Sequence, residues 1–434
     1  MEPGLLKPFL KGNDVHRYDP LEPRYWVIFP YHIDGEDAEF VEEEELEQRY
    51  PRTYEYLRQH EDDLRNREGG KMDHERWYDY VYPKNLTDFQ KEKIITPEIS
   101  YGPNFTYDSD GTYHTTKVYG LLVNDSVDFS PEYLLSVLNS PTLWFFLSNT
   151  GYTLRGGYFT FKTNYLNPFS VPQIPTDSDA DSVEECQEWY EKFISQSTTE
   201  ECPIFTEQFD LRSGTTHDFL GFLAEEIIQL KAQHDQLNLN ILDYLGTYSN
   251  GQQLGELAEY QPPQGAAESI IAETSETRDS LRVGSIDIVD SGSKLEVKLT
   301  ARYKPDDPED FETDQWGYTE TQSYSAMEFI GLSEEMKAII KEFVPVAVEE
   351  AGGFANFRET ATKTNSLIDR LKKTTLPAQD DVSDGIQRYL STKNRAENIQ
   401  YQIEKTDDLI NRIVYALYGF EDDEVERIES TLEE

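Results

Sequence analysis

SPEYLLSVLNSPTLWFFLSNTGYTLRGGYFTFKTNYLNPFSVPQIP, residues 130–175, decides how the rest of the chain is read. Ser130 is a favourable helix N-cap, and Pro131 suits the first helical position, where a missing N–H costs nothing. Leu134, Leu135 and Leu138, then Trp144, Phe145, Phe146 and Leu147, mark a buried helical face. A break is expected at Asn139-Ser140-Pro141, because the residue before a proline is pushed out of the α region. After the helix come Gly151, Arg155-Gly156-Gly157, an alternating Tyr158 to Lys162, and a proline-punctuated exit at Pro168, Pro172 and Pro175. The spacing predicts an apolar helix that delivers a glycine-flanked arginine into a strand.

Upstream, Leu5 to Val15 reads as extended chain turning at Gly12-Asn13, and Tyr25 to Pro30 as a strand. Tyr54, Leu57 and Leu64 recur at helical spacing before a Gly69-Gly70 stop. A strand pair is expected over Phe105 to Val123, turning at Asp110-Gly111. Downstream, the shift to TDSDADSVEE after Pro175 marks a boundary. The expected class is α+β: residues 1–175 form a mixed α/β domain, 176–216 an acidic linker or insertion, and 217–434 a helical spacer region. That last region holds a small β-hairpin unit at 280–304, turning at Asp290 to Ser293, and a C-terminal coiled-coil helix at 385–418. On the helix, Ile399, Ile403, Ile410, Ile413 and Leu417 lie in steps of three and four, a seam that suits either a partner or the chain's own core.

The 434 residues carry a net charge of −45. Because charged residues alternate with well-patterned apolar ones, the excess reads as the surface of a folded halophile-type protein rather than as a disordered tail. Acidity of this kind ordinarily argues against nucleic acid, but the Debye length falls to about 3 Å in molar salt, so distant carboxylates cease to repel a phosphate. The two cysteines, Cys186 and Cys202, have no CxxC spacing and no histidine partner, so both are expected as free thiols. Met1 to Gly4 lacks a basic leader and no apolar run approaches 18 residues, so the chain is expected in the cytoplasm, without a membrane.

No Walker loop, GxGxxG, GxSxG or HExxH is present, and the seven histidines do not cluster. Asn167-Pro168-Phe169 lacks the second proline of an amino-methyltransferase tetrapeptide. No catalytic or metal-ligating residue is assigned. One alternative remains: Asp287, Glu296 and Lys298 on paired strands would suit a metal-dependent nuclease. For nucleic acid, the candidates are Lys11 and Asn13 at the first turn, Lys84 beside Lys91 and Lys93, Lys117, and Arg155, Gly156, Gly157, Tyr158 and Lys162. An arginine flanked by glycines approaches a duplex closely and reaches guanine edges or phosphate.

LLKPFLKGNDVHRY, YPRTYEYLRQHEDDLRNRE with WYDYVYPKNL, KIITPEIS, and the 130–175 stretch together resemble the C-terminal specificity (target-recognition) domain of TaqI-like adenine DNA methyltransferases. Such domains occur in Type IIG restriction-modification enzymes and related phage-defence methylases. The resemblance covers about Leu5 to Pro175. The tail, IEKTDDLINRIVYALYGFEDDEVERIE, is similar to the helix that ends many Type IIG enzymes and Type I specificity subunits. The resemblance implies a module that grips double-stranded DNA and reads a site while a methyltransferase subunit or domain, with or without a nuclease, flips out an adenine. S-adenosylmethionine and Mg2+ would then sit on that partner, and the chain itself would carry no cofactor. The remaining alternative is an acidic adaptor that docks through its C-terminal helix and touches no DNA.

Overall fold

Ser130 caps its helix as the sequence requires, its Oγ accepting the Tyr133 N–H at 3.1 Å. The computed structural model describes residues 1–124, 126–307, 311–349 and 361–433. The apolar stretch forms two helices, Pro131–Leu138 and Pro141–Thr150, parted at Asn139 and Ser140. The break has a use. Asn139 pairs its side-chain amide with both backbone groups of Phe105, at 3.0 Å each, and its carbonyl accepts Arg17 Nη2 at 2.8 Å. Ser136 donates to the Leu220 carbonyl at 2.8 Å, which seats the first helix on the long helix Gly214–Asp235.

The chain divides into two units, Met1–Gln236 with Glu397–Glu434, and Leu237–Ala396. In the first, strands are short and lie in several small sheets. Leu6–Leu10 runs between Tyr25–Ile28, antiparallel, and Tyr113–His114, parallel. Lys93–Pro97, buried along its whole length, lies between Thr106–Asp108 and Val118–Leu121. The expected Phe105 to Val123 hairpin is therefore replaced: its two arms do not pair with each other, because Lys93–Pro97 takes the hydrogen bonds of both. Gly111 still turns the chain at φ +68°, with the Gln90 carbonyl oxygen 2.5 Å from where a Cβ would stand.

The 176–216 segment is more structured than a linker. Its helix Ala180–Ile194 places Cys186, Trp189 and Tyr190 in the core while its acids face water. Burial pushes the Cys186 thiol up to about 12 and that of Cys202 to about 11, and both cysteines are free.

The second unit is built on one antiparallel sheet in which Arg282–Asp290 and Tyr324–Ile330 flank Lys294–Tyr303. Alternation puts Leu295, Val297, Leu299 and Ala301 on the buried face. Helix Glu334–Glu349 covers them with Ile339, Ile340, Phe343 and Val344. The last long helix runs from Gln379 to Tyr418, starting earlier than the expected 385. Among the described residues no helix is long and apolar enough to cross a membrane.

Candidate nucleic-acid interface

Arg155 sits at the tip of a tight hairpin. Thr153 bridges Phe159, the Leu154 N–H donates to the Tyr158 carbonyl at 2.6 Å, and the Gly157 N–H returns to the Leu154 carbonyl at 3.2 Å. Gly156 and Gly157 take φ values of +88° and +80°, which glycine adopts without strain. A Cβ on Gly157 would lie 2.9 Å from the Tyr101 ring, so the second glycine also admits that aromatic. Tyr101 stands edge-on to Tyr158 at 5.9 Å and backs onto Trp144 at 6.0 Å. Arg155, Tyr158 and Tyr101 are all exposed.

From the hairpin the chain enters Phe159–Thr160, which pairs with Ile99–Ser100, and reaches Lys162. Lys162 and Lys117 meet at Glu98. Lys117 Nζ lies 2.7 Å from one carboxylate oxygen and Lys162 Nζ 3.3 Å from the other. The hydrogen bond from Lys117 holds the Glu98 carboxyl below the usual carboxylate range, burial opposes it, and Lys162 adds to the lowering. A Cβ on Gly12 would come within 3.3 Å of the Lys117 carbonyl oxygen, so the Lys11 to Asn13 turn packs on the same segment. Lys11 lies over the Tyr25 ring, with Nζ 3.6 Å from its centroid, and Asn13 is exposed. Lys84 is exposed on another stretch, and Lys91 pairs with Asp88 at 2.8 Å.

Lys93 is not a surface cation. It is 3% exposed and paired at 2.6 Å with Asp108, 1% exposed, directly opposite it in the strand register. Its ammonium also donates to the Phe89 carbonyl at 2.8 Å, and Thr112 donates twice to Asp108, so the buried pair is fully hydrogen-bonded.

Residues 7–171 match the family described as the TaqI-like C-terminal specificity domain. Over this segment the chain is similar to TaqI-like specificity domains. The Type II restriction enzyme and methyltransferase RM.Eco57I of Escherichia coli is 25% identical over 232 residues, 48% of this chain and 23% of that protein. The Type II methyltransferase M.XhoI of Xanthomonas vasicola is 26% identical over 175 residues, 40% of the chain and 30% of its own length. M.BstVI of Geobacillus stearothermophilus, also a Type II methyltransferase, is 22% identical over 175 residues, 40% and 29% respectively. The matched segment thus spans less than a third of each relative.

The matched segment contains every candidate cation and the Arg155 hairpin. Sequence reasoning missed Glu98 and Tyr101. The only signal was an acid and a tyrosine within the otherwise apolar KIITPEISY run.

Elsewhere the structure adds to two further readings. The proposed partner seam is occupied by the chain itself: Ile410, Ile413 and Leu417 are fully buried in the first unit's core, Ile399 is buried and Ile403 half-buried. The three-and-four spacing arises because one face of the helix packs against core helices, which an isolated sequence cannot tell from a dock. Asp287 does face Lys298 across the hairpin, but Glu296 pairs with Lys294 at 3.4 Å. Among the described residues no three His, Cys, Asp or Glu side chains gather as metal ligands.

Proposed function

We propose that this chain is the DNA sequence-recognition part of an adenine-specific restriction-modification methyltransferase of the Type IIG kind, acting on cellular DNA in phage defence. The observation that carries the reading is that the TaqI-like specificity domain presents Arg155 on an exposed, glycine-built hairpin tip beside Tyr158. A guanidinium there suits a bidentate contact to guanine O6 and N7 in the major groove. Lys11, Asn13, Lys117 and Lys162 support it with backbone contacts, which fix register and carry no sequence information. S-adenosylmethionine and Mg2+ belong in this reading to a methyltransferase partner, which extrudes and methylates the adenine. The acidity adapts the chain to molar salt, where recognition rests on close contacts rather than on counterion release.

Selection of duplexes from a random library in molar KCl, with and without a co-produced methyltransferase, is expected to enrich one short motif. A library left unenriched in both arms overturns the reading.

A further inference from the structure

The strand run from Lys93 to Ser100 changes partner at one residue. Up to Pro97 it pairs with Val118–Leu121, and from Ile99 it pairs with Phe159–Thr160. Glu98, between the two, binds both neighbours through its backbone: its N–H donates to the Lys117 carbonyl and its own carbonyl accepts the Phe161 N–H, each at 2.8 Å. The residue before one partner strand, Lys117, and the residue after Phe161, Lys162, are therefore brought to the Glu98 side chain by the topology itself. The Glu98 side chain is 11% exposed, whereas the lysine side chains are 68% and 50% exposed.

An ammonium has three donors and no acceptor. Each lysine uses one donor on Glu98, which leaves several unspent N–H groups facing water around two positive charges and one negative. In a chain with 84 acids against 39 basic residues, two exposed lysines held on one near-buried carboxylate form a local cationic site on an acidic surface. We propose that Glu98, Lys117 and Lys162 form a phosphate site in which the carboxylate holds the two ammonium groups as a preorganised pair that grips one phosphodiester of the DNA backbone. This rests on the DNA-recognition reading and divides its labour: Arg155 addresses bases, and the lysine pair sets the register on the backbone. Glu98 is a positioning residue and touches no DNA. Preorganisation matters most where salt has screened long-range attraction and only contact distances count.

The sign of one substitution separates this from simple charge. If Glu98 merely repels phosphate, Glu98→Gln strengthens binding; if it positions the lysines, the same change weakens it. The full chain is titrated by fluorescence anisotropy against a selected and a scrambled duplex over a range of KCl. Glu98→Gln is expected to weaken binding about tenfold on both duplexes, and Lys117→Gln with Lys162→Gln to lower the slope of log affinity against log salt by about one, the value for a single phosphate. Both lysines are exposed, so the double variant tests the site even if Glu98→Gln unfolds. A single neutral methylphosphonate linkage moved along the duplex is expected to weaken the native chain at one position and to have no further effect in the double variant. Tighter binding by Glu98→Gln, an unchanged salt slope in the double variant, or no methylphosphonate-sensitive position overturns the clamp while motif selection survives. Displacement of the duplex by millimolar inorganic phosphate assigns the site to free phosphate and overturns it too. Absence of all duplex binding by the native chain removes this inference and the reading beneath it together.

Discussion

The first unit's strands are at most five residues long, as in Leu6–Leu10 and Lys93–Pro97, whereas Arg282–Asp290 and Lys294–Tyr303 of the second unit run nine and ten. Short strands end often, and each end releases a loop whose side chains are free to address a ligand. In the first unit those ends carry Lys117, Glu98, Lys162 and the Arg155 hairpin. The long strands of the second unit instead bury one continuous apolar face under Glu334–Glu349. The contrast separates a surface organised for contact from a sheet organised for packing. The buried Lys93–Asp108 pair lies in the first unit, beside the short-stranded surface.

That contrast is open to direct attack. Asp108→Ala leaves the Lys93 ammonium buried without its counterion, and is expected to destabilise the first unit by about 3–5 kcal/mol in chemical denaturation. A loss below about 1 kcal/mol would equate the pair with surface ion pairs and break the comparison. Leu299→Ala removes a fully buried side chain from the second unit's sheet and is expected to cost about 2–5 kcal/mol. Hydrogen exchange should quicken at 282–303 and not at 93–97, and equal quickening at both would contradict separate cores. Arg155→Ala is expected to weaken binding to the selected duplex by about 1–3 kcal/mol and to relax the preference at one base pair. Equal affinity for selected and mismatched duplexes before and after the change would return Arg155 to a solvated surface charge. The smallest effect is assigned to Asp287→Asn on the exposed sheet face: stability within about 0.5 kcal/mol of native, and duplex integrity in Mg2+ identical. Duplex cleavage that disappears with this substitution would favour the nuclease alternative.

Where local rules decide conformation, the chain was legible. The Ser130 cap, the break before Pro141, the Asp290 to Ser293 turn and the alternation along Lys294–Tyr303 all follow from a few adjacent residues. The glycines beside Arg155 mark a tight turn into a strand, and the chain takes that form. The failures share a cause, since each depended on a partner distant in sequence. Lys93 resembles any surface lysine until Asp108 is placed opposite it. The arms of Phe105 to Val123 alternate as a hairpin does, and only Lys93–Pro97 lying between them reveals a three-stranded arrangement. The Ile399 to Leu417 seam records a buried face without recording what buries it. Glu98 carried no periodic signal, because its role arises where two strand pairings meet.

The bidentate bond between Arg17 and Asp407, with both contacts at 2.6 Å, closes a loop of 390 residues. During synthesis at about 5–20 residues per second, the first unit waits roughly 20–80 s between the emergence of Arg17 and that of its counterion. Through that interval the faces later covered by Ile410, Ile413 and Leu417 stay open to water and to other chains. The fold is therefore completed from its far end. A nascent chain arrested before Gln379–Tyr418 lacks the turns that cover those apolar faces, and these turns act as the latch that ends their exposure.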